Sequence, residues 1–172
     1  EEIKEGVKFV SLGEICEIIP GKKQRSKDGL KTGLYPLFYC SILGHLYLDT
    51  YDYEGEGIII NKTNGSGKAM VYYGSSKYNV GETTIHFKTK NNVLTKYVYY
   101  YLKYNIPKLE RYYKGANQKS ITENDLFKIR IPIPSLDAQK KIVSKCEYLD
   151  DKNKKLELDI QENIKKQESM FL

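Results

Sequence analysis

Three short stretches concentrate the side chains able to bind a ligand. The first is Lys22-Lys23-Gln24-Arg25-Ser26-Lys27-Asp28-Gly29, a basic loop with turn residues and no apolar anchor. The second, Asn61-Lys62-Thr63-Asn64-Gly65-Ser66-Gly67-Lys68, separates the apolar run Gly57-Ile58-Ile59-Ile60 from Ala69-Met70-Val71-Tyr72-Tyr73 and predicts the tip of a long hairpin. The third, Arg111 to Ser120, is polar and basic around a single glycine. Lysines and arginines in such loops neutralise phosphates; Gln and Asn carry a donor with an acceptor, and Arg a pair of donors, that match base edges in a DNA groove. The candidate DNA contacts are Lys22, Lys23, Gln24, Arg25, Ser26, Lys27, Lys62, Thr63, Asn64, Ser66, Lys68, Asn117, Gln118 and Lys119. Residue types alone leave other readings open: a solvated surface loop for the first stretch and an inert turn for the second.

Other chemistries fit poorly. The Gly67-Lys68 pair fails as a phosphate loop, because Lys62 stands where the first glycine belongs and Ala69 replaces the magnesium-binding Ser or Thr. The histidines are His45 and His86, and neither has a Cys, His, Asp or Glu at metal-ligand spacing. His86 reads as a satisfied strand histidine. No methyltransferase Asn-Pro-Pro-Tyr-type motif, nuclease Asp with Glu-x-Lys, or placeable Ser/His/Asp set occurs. A reader of sequence is expected, not an enzyme.

The bulk properties agree with that reading. The 172 residues are enough for one ordinary domain and an appendage, and 40% hydrophobic with 29% charged residues suits a packed body. A net charge of +6 and a pI near 9.0 favour a polyanionic partner. Cys16, Cys40 and Cys146 are odd in number and widely spaced, so reduced core or seam residues of a cytoplasmic protein are expected. No apolar run approaches the roughly 20 residues that span a bilayer, and no signal-peptide pattern is seen. A start at Glu1 suggests a piece of something longer.

Positioning these loops falls to short strands and helices. Ser11 and Glu14 have capping-box spacing, which predicts a helix over Leu12–Ile18, stopped by Pro20-Gly21. Leu34 to Tyr39, Ile58 to Ile60 and Thr83 to Phe87 predict strands, and Asp49 to Glu56 is turn-rich. Thr95 is placed as the cap of a tyrosine-rich helix, Lys96 to Tyr104, ended by Asn105-Ile106-Pro107. Most of the 16 tyrosines must pack, since the chain has no tryptophan.

The element that organises the rest is Ile129-Arg130-Ile131-Pro132-Ile133-Pro134-Ser135 with the charged run behind it. Alternating isoleucines with prolines predict an edge strand, and Ser135 then stands at an N-cap with Asp137 in the first turn. Within the following helix, Ile142, Cys146, Leu149, Leu156, Ile160 and Met170 recur at three- and four-residue steps, with Asn153, Asn163 and Gln167 in the same seam. That is a polar-interrupted heptad stripe, and it predicts a partner helix.

In order, these pieces resemble the target recognition domain of type I restriction-modification specificity subunits. The matching segments are Val10-Ser11-Leu12-Gly13-Glu14-Ile15, Tyr35-Pro36-Leu37, Tyr53 to Ile60, Gly115 to Gln118 with Ser120-Ile121, and Ile131 to Gln139 continuing to Lys141-Ile142-Val143. The last block is the most specific. The resemblance implies an α+β, mostly β-rich domain that puts loops into the DNA major groove and reads half of a bipartite site. A long C-terminal helix would follow, pairing as an antiparallel coiled coil. It also implies docking to a methyltransferase subunit, a restriction subunit as a further partner, and a homodimer if this is a half-subunit. S-adenosylmethionine is expected in the methyltransferase and no cofactor in this chain. The expected division is a linker over 1–8, the recognition domain over 9–134 and the spacer helix over 135–172. Two alternatives stay open: a recognition domain fused to a restriction-methylase chain, and a coiled-coil adaptor without DNA specificity.

Overall fold

In the computed structural model the described residues are 7–39, 46–64 and 68–170, without the side chains of Asn64 and Glu168. The chain enters as β1 (Lys8–Ser11), turns into α1 (Leu12–Ile15) and leaves as β2 (Cys16–Ile18). The expected capping residues do meet: the Ser11 N–H and hydroxyl both donate to Glu14 Oε1, at 3.1 and 2.8 Å. The helix is shorter than its spacing predicts. Cys16, Glu17 and Ile18 instead take Thr89, Lys88 and Phe87 as ladder partners, and that pairing outweighs one more helical turn.

After a 3₁₀ turn at Ser26–Asp28 come β3 (Tyr35–Phe38), β4 (Leu46–Leu48), β5 (Tyr53–Glu54), β6 (Gly57–Asn61), β7 (Thr63–Asn64), β8 (Val71–Gly74), β9 (Lys77–Val80) and β10 (Thr84–Thr89). Then follow α2 (Thr95–Tyr104), α3 (Ile106–Glu110), β11 (Lys119–Ser120), α4 (Glu123–Phe127), β12 (Arg130–Ile133) and α5 (Leu136–Ser169). Among the described residues the sheets run β2-β10-β6-β8 and β4-β3-β9-β5, with two-stranded pairs β1-β12 and β11-β7. Only β3 and β9 pair in parallel among these ladders.

Strand β6 and residues 84–87 of β10 are buried on both faces. Ile58, Ile60, Ile85 and Phe87 join the main core with Val98, Leu102, Leu126 and Ile131. Ile59 faces the other way, with Tyr53, Tyr78 and Val80. Full burial of each of these aliphatic side chains stabilises by about 1.5–3 kcal/mol, so the sheet is a rigid base for the loops at its end. His86 lies opposite Ile59 and is 1% exposed; its Nε2 lies 2.9 Å from the Tyr78 hydroxyl. The satisfied-histidine expectation holds for that nitrogen, whereas Nδ1 has no partner among the described residues.

The proline-bearing strand β12 pairs with β1 alone, as an edge strand should, and Pro132 faces Phe9 in the ladder. Ser135 Oγ accepts from the Ala138 N–H at 3.3 Å, which starts α5 where the sequence puts it. Thr95, expected as a cap, is inside α2. Leu94 takes the cap position, and its N–H is satisfied by Gln139 Oε1 from α5 at 3.0 Å. Helix α5 has 34 residues, hence about 51 Å at roughly 1.5 Å per residue. Its first turns dock on α2 through buried Gln139 and Val143, a Lys96–Glu147 ion pair and Asp150, which accepts from Lys103 Nζ and the Tyr104 hydroxyl at 2.8 Å each. Beyond Asp150 every described side chain through Met170 is exposed.

Candidate nucleic-acid interface

The basic loop is attached to the sheet through its backbone. The Gln24 N–H donates to Val80 O at 2.8 Å, and the Glu82 N–H donates to Gln24 O at 3.0 Å. The Tyr53 hydroxyl donates to Lys22 O at 2.7 Å. Gly21, at φ 141°, gives that ring room, because a Cβ there would sit 2.8 Å from the Tyr53 oxygen. With one shoulder pinned, the loop projects Lys22, Arg25, Ser26 and Lys27 into solvent.

The hairpin tip comes to the same place. The Lys62 N–H donates to Thr83 O at 2.7 Å, one residue from the turn that holds Gln24. Asn61, 1% exposed, is the tip's internal brace: Nδ2 donates to Thr63 O and Lys68 O, and Oδ1 accepts from the Met70 N–H and the Tyr113 hydroxyl. The third basic stretch then joins, since β11 pairs Lys119 with Asn64 and Ser120 with Thr63, and the Ile121 N–H donates to Lys62 O at 2.9 Å. Its reversal needs Gly115 at φ 133°, where a Cβ would lie 2.3 Å from Gln118 O.

Three segments separated by some 40 to 90 residues therefore meet at one end of the sheet. Between the loop and the tip lies a concavity of about 330 Å³ lined by Gln24, Ser26, Tyr39, Thr63 and the Gly81–Thr83 turn. Lys22, Lys27, Lys62, Lys68 and Lys119 have no carboxylate within ion-pair distance among the described residues, which leaves their charge available to a polyanion. Asn117 and Gln118 are exposed beside them. Ser66 lies outside the described residues, as do His45 and Cys40, and of Asn64 only the backbone is described.

Two candidates differ from a freely extended contact. Lys23 turns inward and donates to Thr84 O at 2.7 Å; burial, and then the charge of Lys62, hold its pKa below the usual lysine value. Gln24 Nε2 donates to Asp52 Oδ2, so a carboxylate engages that amide's donor. On α5, Ile142, Leu149, Leu156 and Ile160 are exposed along one stripe. Cys146, expected in the same seam, is partly buried at the margin of its own core, and burial raises its thiol pKa. It sits between the stripe and the face that docks on α2.

Comparison with known proteins gives the family and the fold. The family model of the type I restriction modification DNA specificity domain matches residues 4–166, and the chain belongs to that family. A Methanocaldococcus jannaschii protein, assigned as the specificity subunit of type I restriction enzyme MjaX, is 44% identical over 62 residues, covering 36% of this chain and 15% of that protein. The S subunit of the type I system of M. genitalium superposes with TM-score 0.71 at 15% identity, over 88% of this chain and 41% of its own. The HsdS subunit of Thermoanaerobacter tengcongensis gives TM-score 0.60 at 20% identity, over 88% and 39%. The α+β fold with its long C-terminal helix is thus that of S subunits. The chain spans about two fifths of the length of these solved relatives.

Proposed function

We propose that this chain reads one half of a bipartite DNA sequence on behalf of a type I restriction-modification complex, with the body over 9–134 as reader and the segment over 135–172, which carries α5, as spacer. The observation that supports it best is the meeting of the three basic segments, stitched edge to edge by backbone hydrogen bonds at one end of a rigid sheet. Unpaired lysines supply sequence-independent attraction to phosphates, while Gln24, Arg25, Asn64 and Gln118 bring the groups that discriminate bases. The exposed stripe on α5 pairs with a second helix, which in a half-subunit is the helix of another copy. The partners are double-stranded DNA, a methyltransferase subunit and a restriction subunit, and a cytoplasmic location follows from that work. No helix among the described residues is long and apolar enough to cross a membrane.

Gel-shift titration across salt tests the reading. Affinity falls steeply with salt, and alanine at Lys22, Lys27, Lys62 and Lys119 weakens all sequences alike while flattening the slope by about one unit for each phosphate left without its lysine. A flat salt response with no sequence preference would instead establish an adaptor that merely carries a coil.

A further inference from the structure

Arg25 and Asp28 form an ion pair whose place in the fold suits base reading more than stability. Arg25 immediately precedes the Ser26–Asp28 turn, and the Asp28 N–H closes it on Arg25 O at 3.1 Å. The turn folds Asp28 back against the residue that caps it. Asp28 Oδ2 thereby lies 3.0 Å from Arg25 Nε, with the two side chains 56% and 40% exposed. An exposed pair of this kind adds little to folding. Its stronger effect is on the arginine itself: the contact engages Nε and leaves the end-on pair of N–H groups, one from each terminal nitrogen, for another acceptor. No other contact to those nitrogens occurs among the described residues.

Resting on the DNA-reading role above, we propose that Arg25 recognises a guanine in the major groove, with Asp28 as the positioning residue that aims it. Two parallel N–H donors match guanine O6 and N7. A phosphate is the poorer target, because Asp28 would be brought toward a like charge, whereas the neutral acceptors of a base edge carry no such penalty. The anchor is close by, since Gln24 is bonded through both backbone groups to the turn between β9 and β10. An arginine otherwise loses much rotamer freedom on binding, and the Asp28 contact removes part of that cost before DNA arrives.

The test is selection of duplexes from a randomised library by the full chain, followed by sequencing of the bound fraction, with folding of each variant checked by circular dichroism. Wild type enriches guanine at a defined position. Arg25→Lys keeps the charge and the salt slope but loses the fork, so preference at that position alone drops by roughly 5- to 150-fold, the equivalent of about 1–3 kcal/mol. Asp28→Ala leaves Arg25 present and weakens the same position, while Asp28→Asn, which retains an acceptor for Nε–H, keeps more of it. The proposal is overturned if Arg25→Lys retains the guanine preference, or if Asp28→Ala lowers all positions evenly. A wild-type chain that enriches no sequence overturns the DNA-reading role and this assignment together.

Discussion

Single side chains set how well the interface is held and how it responds to acid. Asn61 satisfies two carbonyls, one N–H and the Tyr113 hydroxyl from a buried position. Asn61→Ala strands several of them and is expected to cost about 2–3 kcal/mol in urea denaturation, with DNA affinity lowered as Lys62 and Thr63 lose their fixed place. His86 acts through protonation. Burial, reinforced by Lys23, brings its pKa down to about 4, against an ordinary 6.5. The unfolded chain therefore takes up a proton at that site first as pH falls, and stability drops between about pH 6.5 and 4. Roughly 1.5 kcal/mol of this loss should appear between pH 6.5 and 5. His86→Gln, which can still bond Tyr78, should flatten that part of a melting-temperature profile. An unchanged profile would place the acid sensitivity elsewhere.

At the scale of elements, the junction of β12, α2 and α5 holds the body to the spacer. Gln139 is 1% exposed; Oε1 accepts from the Leu94 N–H and Nε2 donates to Pro134 O, both at 3.0 Å. It caps one helix from within another. Gln139→Leu keeps the volume but leaves a buried donor and acceptor unpaired, so a loss of about 1–3 kcal/mol is expected, measured by chemical denaturation. Asp150 strengthens the same junction. Burial raises its pKa, but hydrogen bonds from Lys103 and Tyr104 outweigh that and hold it below the ordinary carboxylate value. A depressed carboxylate stabilises above its unfolded pKa, and the contribution disappears as pH falls below about 4. Asp150→Asn should lower the melting temperature at pH 7 more than at pH 3.

For the whole molecule, the proposed function makes the body a head that binds and α5 a rod that measures. The docked half of α5 fixes the rod's direction, and the exposed half carries Leu156, Ile160 and Ile164 in water. Covering that stripe with a second helix predicts self-association, read by sedimentation velocity. Leu156→Glu with Ile160→Glu should shift the chain to monomer without changing the body's melting temperature, because neither residue touches the body. A monomeric wild type would leave pairing to a helix of another chain.

The sequence by itself determined the periodic and punctuated parts. The Ser11–Glu14 cap, the proline edge strand, the Ser135 start of α5 and the basic loops are local patterns, and local geometry enforces them. The tertiary structure decided everything that depends on pairing at a distance. Thus α1 ends early because β10 offers ladder partners, Leu94 replaces Thr95 at a cap because Gln139 reaches it, and Cys146 leaves the open stripe because α2 lies beside it. Most of all, three loops distant in sequence became one surface only through the Gln24–Val80, Lys62–Thr83 and Thr63–Ser120 pairings. No local pattern contains such pairings, since their free energy exists only once the sheet between them has formed.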